Sequence, residues 1–340
     1  MTVHPLIQQN RDRSTIGRVA LFCTMRNEGP YILEWVAHHI AVGFTDIVVA
    51  YNDSTDGTVR LLMELDRIGA ITAIDNNRWR GAPQAAAYRK AMKTEAAQEA
   101  EWIMVLDADE MLNFKVGEGD LNSFMGAVEP ANLYSFNWRM FGHSGHNQFR
   151  NTTMADRFRR CGPNSAYRAQ AGVKTIFRNI FSDISVGPHR PRWKIDTPEE
   201  AYRWLDGSGL PVEQGLIHNG WRNHIGGFEL AQVNHYAVRD NESFLMKLAR
   251  GRAANNRHGL NLKYWYRMSM NAYSDDSIDR TLPARQAALA ALREERELRA
   301  GHRGAITDHR TRIAEMREEP PLAELYQELC AVRLRRPRVT

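Results

Sequence analysis

Between residues 18 and 114 the chain alternates strand-length apolar runs with helix-forming segments. That alternation restricts it to an α/β fold built on a mostly parallel sheet. Residues 18–25 (RVALFCTM) read as a buried strand. Asn27-Glu28-Gly29-Pro30 then supplies helix-start chemistry, with Pro30 favoured in a first turn. Residues 31–42 follow with Ile32, Leu33, Trp35, Val36 and Ile40 at helical spacing. Residues 45–51 (TDIVVAY) form a second strand, and NDSTDGT caps a helix over 59–68. A short strand at 71–74 and an Asn- and Arg-rich loop precede residues 84–100, whose Ala, Lys and Glu predict a helix. Residues 102–106 (WIMVL) are the next strand, and they run directly into Asp107-Ala108-Asp109-Glu110.

Beyond Phe114 the pattern changes. Residues 115–245 hold short apolar runs among many Gly, Asn, His and Trp, which predicts mixed strands and long loops around a site. Helical patterning returns at 244–255, 284–300 and 322–335, and the break near 275–283 marks the start of a C-terminal helical appendage.

Hydrophobic residues at 43% and charged residues at 25% are ordinary for a globular chain of 340 residues. No stretch has the unbroken apolar length of a membrane span, and residues 1–15 lack the apolar core of a secretory signal, so a cytoplasmic protein is expected. Cys23, Cys161 and Cys330 stand far apart, which argues against a disulfide framework or a thiolate zinc site. The net charge of +5 spreads over 45 basic and 40 acidic residues. Basic residues are dense only at 150–168 and in the tail Arg333, Arg335, Arg336, Arg338. Such patches suit anionic diphosphates or an acidic membrane face and do not require nucleic acid.

Two carboxylates separated by one residue, just past a buried strand, point at the carboxyl edge of the sheet, where open α/β folds bind ligands. Mg²⁺ and Mn²⁺ prefer carboxylate oxygens and share their coordination with phosphates. The competing reading of Asp107 and Asp109 is a solvated acidic turn. Asn52-Asp53-Ser54-Thr55-Asp56-Gly57-Thr58 ends the second strand with side chains suited to nucleoside donors and equally to turns and N-caps. Thr24-Met25-Arg26-Asn27-Glu28 ends the first strand without the Gly-rich loop of dinucleotide folds and P-loop enzymes, which disfavours both classes.

The ordered set RNEGPYILEWVAHHIAVGFTDIVVAYNDSTDGT, then WIMVLDADEML, resembles family 2 glycosyltransferases. It is most similar to a bacterial branch whose motifs read RNE…EW…HH…GF, NxSxDGT and DxDE. The resemblance is strong over residues 18–115 and weaker over 116–255, where KTIFR and NHY followed by ESF also fit. It implies a GT-A fold, a Rossmann-like nucleotide-diphospho-sugar transferase architecture. Residues 17–115 would form the nucleotide-sugar half, 116–245 the acceptor half and 246–340 a C-terminal helical extension. It further implies that Thr24, Arg26, Asn27, Glu28, Asp53 and Asp56 contact the nucleotide, with Gln84 and Tyr88 bordering the donor pocket. Asp107 and Asp109 would bind Mn²⁺ or Mg²⁺ and the diphosphate. The donor would be a nucleotide-diphospho-sugar, UDP-linked by default, and the acceptor a glycan or other hydroxyl in surface-glycan or polysaccharide synthesis. The protein would lie in the cytoplasm or peripherally at the inner membrane face through its basic C-terminus.

An inverting transfer needs a base for the acceptor hydroxyl. Asp156 stands about where relatives place an acidic residue, although a salt bridge with Arg157 or Arg159 explains it as well. Lys174 and Arg178 would both face a diphosphate if KTIFR were helical. The resemblance singles out His235 as a late histidine brought to the metal. His189, by contrast, reads as a buried histidine, and His143, His146, His218 and His224 as loop histidines. Trp138, Trp193, Trp204, Trp221 and Trp265 suit the core more than sugar stacking. Two rivals are a sugar nucleotidyltransferase, which would need a Gly- and Arg-rich loop after the first strand, and a non-catalytic carbohydrate- or nucleotide-binding protein.

Overall fold

The computed structural model describes residues 3–78, 81–165, 170–180, 184–193, 203–212, 226–250 and 261–337. Val19–Met25 (β1) carries apolar side chains on both faces and is buried except at Thr24, the signature of a central strand. It pairs in parallel with Asp46–Tyr51 (β2) on one side. Thr72–Asp75 (β3) lies outside β2, and Trp102–Val105 (β4) flanks β1 on the other side, so the order is β3-β2-β1-β4, all parallel. Pro5–Arg13 (α1), Ile32–Ala41 (α2), Thr58–Arg67 (α3) and Pro83–Ala91 (α4) accompany these strands. α1 had no signal in the sequence reading. The helix expected over 84–100 stops at Ala91 and resumes at Glu95–Gln98, where Thr94 caps the new start through the Ala97 amide.

The second half extends the same sheet in mixed directions. The KTIFR segment is a strand, Val173–Arg178, antiparallel to β4. Glu110–Phe114 (β5) and Leu133–Met140 (β6) belong to the sheet as well. β6 lies antiparallel to Val173–Arg178, the strand Ala231–His235 runs parallel to β6, and β5 closes that side antiparallel to Ala231–His235. Trp204–Asp206 pairs with the first residues of β6. Directions alone therefore collect certain positions at one edge: the ends of β1, β2, β4, β6 and Ala231–His235, and the beginnings of Val173–Arg178 and β5.

α2 is buried at every residue but Ala41, because Leu282–Glu294 packs on the face it turns away from the sheet. Its polar residues find partners inside. His38 Nε2 meets the Leu112 carbonyl at 2.7 Å and His39 Nδ1 the Trp35 carbonyl at 2.8 Å. Glu34 accepts from the Met154 and Ala155 amides at 2.7 and 3.1 Å, fixing the turn Met154–Arg157.

The C-terminal helices extend the fold and pack back onto it. Arg296–Glu318 lies along α3 and Asn241–Arg250, and Ala305 seats it on the loops after β1 and β2. A Cβ added at Gly29 or Gly57 would stand 2.8 or 3.0 Å from the Ala305 Cβ, so both glycines permit this contact. Among the described residues, no helix is long and apolar enough to cross a membrane.

Candidate active site at the carboxyl edge of the sheet

After β4 the chain turns at Asp107-Ala108-Asp109 and re-enters the sheet as β5. The turn is held from inside. Trp35 Nε1 donates to the carbonyls of Asp107 and Glu110 at 3.2 and 3.0 Å, and the Asp107 amide donates to Glu110 Oε2 at 2.7 Å. The tryptophan of the EW pair thus positions the acids. Gln84 Nε2 reaches Asp107 Oδ1 at 3.3 Å, and Tyr88 is buried one turn further along α4. Burial pushes the Tyr88 phenol well up, reinforced by the Asp107 charge.

Lys174 opens the antiparallel strand beside β4 and so arrives at the same edge. Its Nζ lies 2.9 Å from Asp107 Oδ2, 3.1 Å from Glu110 Oε2 and 2.8 Å from the Pro188 carbonyl, fully enclosed. Burial alone would lower its ammonium, but Asp107 and Glu110 reverse that and hold it charged. Burial pushes the Glu110 carboxyl up, an effect that Lys174 partly offsets.

Asp109 faces the opposite way, into a cleft lined by Asn27, Tyr31, Arg239, Lys247 and His309. Lys247 Nζ is 2.7 Å from its Oδ2, and His235 Nε2 is 3.5 Å from its Oδ1. Burial would raise the Asp109 carboxyl, yet Lys247 and His235 together hold it well below the usual range. His235 comes from the far half of the chain because its strand ends opposite Glu110. Its ring rests 4.6 Å from that of Trp138.

The loops after β1 and β2 interlock above the cleft. Asn27 and Asp53 both take left-handed backbone, with φ of 52° and 45°. Such strain in side-chain-bearing residues concentrates at functional sites. The Thr55 amide donates to Asn27 Oδ1 at 2.7 Å, the Asn27 amide to Ser54 Oγ at 3.2 Å, and Arg26 Nε to the Asp53 carbonyl at 3.3 Å. Asp53 leaves its carboxylate at the surface, touched by Asn52 Nδ2 at 3.1 Å. Asp56 is spent on scaffolding, accepting from the Gly29 and Thr58 amides at 3.2 and 2.9 Å. Glu28 is buried under Arg239, whose Nη1 is 2.8 Å away and whose guanidinium lies 3.7 Å above the Tyr31 ring. Thr24 is half-buried at the end of β1.

Other expectations need correction. Arg178 pairs opposite Trp102, at the start of β4, and lies over that ring at 5.3 Å. Four residues of extended strand separate it from Lys174 by about 13 Å, so the two cannot share a diphosphate. Asp156 is held by Arg285 Nη2 at 2.9 Å and by Arg159 at 3.6 Å, with no contact to the cleft, so the salt-bridge reading replaces the base.

His143 meets Ser269 Oγ at 2.8 Å, His146 the Arg157 carbonyl at 3.2 Å and His189 the Val173 carbonyl at 3.1 Å. Trp204 and Trp265 donate to buried partners, Ser135 and Asn241. His218, Trp221 and His224 lie outside the described residues.

The fit of Mn²⁺ or Mg²⁺ was tested on the donors themselves. Asp109 and His235 lie 3.5 Å apart, but Asp107 and Asp109 are each already ion-paired with a lysine ammonium, at 2.9 and 2.7 Å. Among the described residues, no three His, Cys, Asp or Glu side chains converge as a metal site. The set as arranged does not fit a resident divalent ion.

Lys247, Arg239 and Glu110 escaped the sequence reading. Glu110 was visible as the fourth letter of DADE. A lysine seven residues into a helix carries no mark of its own.

Residues 22–186 match the family model described as Glycosyltransferase family 92. The matched family is thus a glycosyltransferase family, numbered 92, where the motifs resembled family 2. We found no match among curated proteins. Among solved structures, the 1–349 fragment of S. aureus TarS matches at 15% identity and a TM-score of 0.31, covering 47% of this chain and 47% of that one. The same fragment in complex with UDP-GlcNAc matches at 16% identity and a TM-score of 0.27, covering 39% and 37%. Glucosyl-3-phosphoglycerate synthase from Mycobacterium tuberculosis, in complex with Mn²⁺, UDP and glucosyl-3-phosphoglycerate, matches at 13% identity and a TM-score of 0.27, covering 39% and 48%. The chain spans less than half the length of each of these structures.

Proposed function

We propose that this chain is a GT-A type glycosyltransferase that moves a sugar from a nucleotide-diphospho-sugar to a hydroxyl acceptor, with a glycan the first acceptor to consider. The observation that carries the reading is the convergence at one sheet edge of the interlocked β1 and β2 loops with the Asp107–Glu110 turn. The family 92 match over residues 22–186 supports the same class. In this reading Asn27, Asp53 and Arg26 receive the base and ribose, and the cleft beside Asp109 receives the diphosphate and sugar. Charge grows on the leaving diphosphate as the glycosidic bond breaks, and fixed positive groups there lower the barrier. Attack by the acceptor hydroxyl from the opposite side would invert the anomeric centre, the bond to the diphosphate breaking as the new bond forms and the hydroxyl proton passing to water. The loop RNEGP after β1 has one arginine and one glycine and is not the Gly- and Arg-rich loop of a nucleotidyltransferase.

Thermal unfolding with a panel of nucleoside diphosphates, UDP first, tests the reading. One of them should raise the midpoint, by an amount equivalent to about 2.7 kcal/mol when present at about 100 times its dissociation constant. A panel without any shift contradicts it.

A further inference from the structure

We propose that Lys247, held in place by Asp109, supplies the positive charge that meets the departing nucleoside diphosphate, while Lys174 fills the place beside Asp107, so that donor binding needs no divalent cation. The inference rests on the transferase reading and deepens it. Its basis is the pairing at the turn. A metal-binding acid pair has to keep its carboxylates available to the ion, whereas here each carboxylate already holds one ammonium, at 2.9 and 2.7 Å. Lys174 Nζ is enclosed and also bonded to Glu110 and the Pro188 carbonyl. It has no room to withdraw, so a divalent ion on Asp107 would stand against a fixed like charge.

Lys247 is placed differently. It lines the cleft with Asn27 and Arg239, and its Nζ spans from Asp109 Oδ2 to the Ala237 carbonyl at 2.7 Å each. An ammonium offers three donors on a flexible stem, so Lys247 can keep one bond to Asp109 while turning another to a phosphate oxygen. Arg239 is committed to Glu28 and stacked on Tyr31, whereas Lys247 reaches Asp109 directly and would meet a phosphate by exchanging its bond to the Ala237 carbonyl. The acids act as positioning residues: Asp107 and Glu110 fix Lys174 in the interior, and Asp109 holds Lys247 where it can meet the charge that develops on the leaving group.

Isothermal titration of the full chain with UDP, GDP, ADP, CDP and dTDP, once in EDTA and once in Mn²⁺, tests this directly. The diphosphate that binds should bind in EDTA, with an affinity that Mn²⁺ changes by less than about threefold. Lys247→Met should weaken that affinity by about tenfold or more, and Lys247→Arg should retain most of it. Binding that appears only with Mn²⁺ overturns the lysine assignment and leaves the transferase reading standing, as does a folded Lys247→Met that binds as tightly as wild type in EDTA. The comparison of EDTA with Mn²⁺ uses the wild-type chain, so a variant that fails to fold does not remove the test. If no diphosphate binds in either buffer, the transferase reading fails and this assignment with it.

Discussion

At the scale of single residues, Asp53 separates nucleotide recognition from turn chemistry. Its carboxylate is at the surface while its backbone is left-handed, so replacement by alanine would mix lost contacts with backbone strain. Asp53→Gly keeps the backbone and removes only the side chain. It should weaken nucleoside diphosphate binding by about tenfold, the size of one hydrogen bond lost to a charged group. Turnover at saturating donor should change less, because such a contact is shared by ground and transition states. Titration calorimetry beside steady-state kinetics checks this, and unchanged affinity would return the loop to a simple turn. Asp156 makes the opposite case. Arg285 is nearly buried and has Asp156 at 2.9 Å, with Asp279 at 3.9 Å, but Asp156 itself is 44% exposed. Asp156→Asn should therefore lower stability by about 1 kcal/mol in denaturant unfolding and leave donor binding and transfer near wild type. Loss of transfer in a variant of full stability would restore it as the base.

At the scale of elements, the parallel half was legible because its signals are local. β1, β2 and β4 are apolar runs ended by polar loops, and α2 shows helical spacing without help from any partner. Asp107 and Asp109 were legible because WIMVL fixes where they emerge. KTIFR was not, since a five-residue segment fits a strand or a helix until its neighbours choose, and pairing with β4 and β6 chose the strand. That choice brought Lys174 to the site and carried Arg178 away. Lys247 and Arg239 were hidden for the same reason, because only tertiary packing brings Asn241–Arg250 and the segment before it to the acids. The sequence placed C-terminal helices at 284–300 and 322–335, whereas the long helix runs Arg296–Glu318 and its Ala305 touches Gly29 and Gly57, in the loops after β1 and β2. Ala305→Leu should push that helix outward. The expected result is about tenfold weaker nucleotide binding from a residue that touches no ligand, together with a loss of about 1–3 kcal/mol of stability from overpacking. Wild-type affinity in this variant would show that the helix does not support the loops.

At the scale of the whole molecule, the buried histidines set the response to acid. Burial lowers His38 to about 3, His143 to about 4 and His189 to about 4, and holds His39 well below its ordinary value. The unfolded chain takes up these protons below about 6.5, while the folded chain refuses them. Their stability is present above that pH and is lost as the pH falls toward 4. Glu34, raised by burial to about 7, works against this, because its stability is full at low pH and is lost as the pH rises through 7; Glu110 is raised in the same direction. Four histidines outweigh two carboxyls, at about 1.4 kcal/mol per pH unit for each uncompensated group. The denaturant midpoint should therefore be lower at pH 5.5 than at pH 7.5, and a higher midpoint at pH 5.5 would contradict the buried neutral histidines.

The central claim concerns the sheet edge as a whole, where Asp107, Asp109, Lys174, Lys247 and the loops after β1 and β2 meet. It is tested most directly by release of nucleoside diphosphate from a panel of nucleotide-sugars incubated with the full chain and no added acceptor. A transferase leaks donor to water, so one nucleotide-sugar should be slowly cleaved to its nucleoside diphosphate. Asp109→Asn, which loosens Lys247 and His235 together, should slow that release by about tenfold or more. No release from any donor, or equal release by the Asp109→Asn protein, would contradict the account.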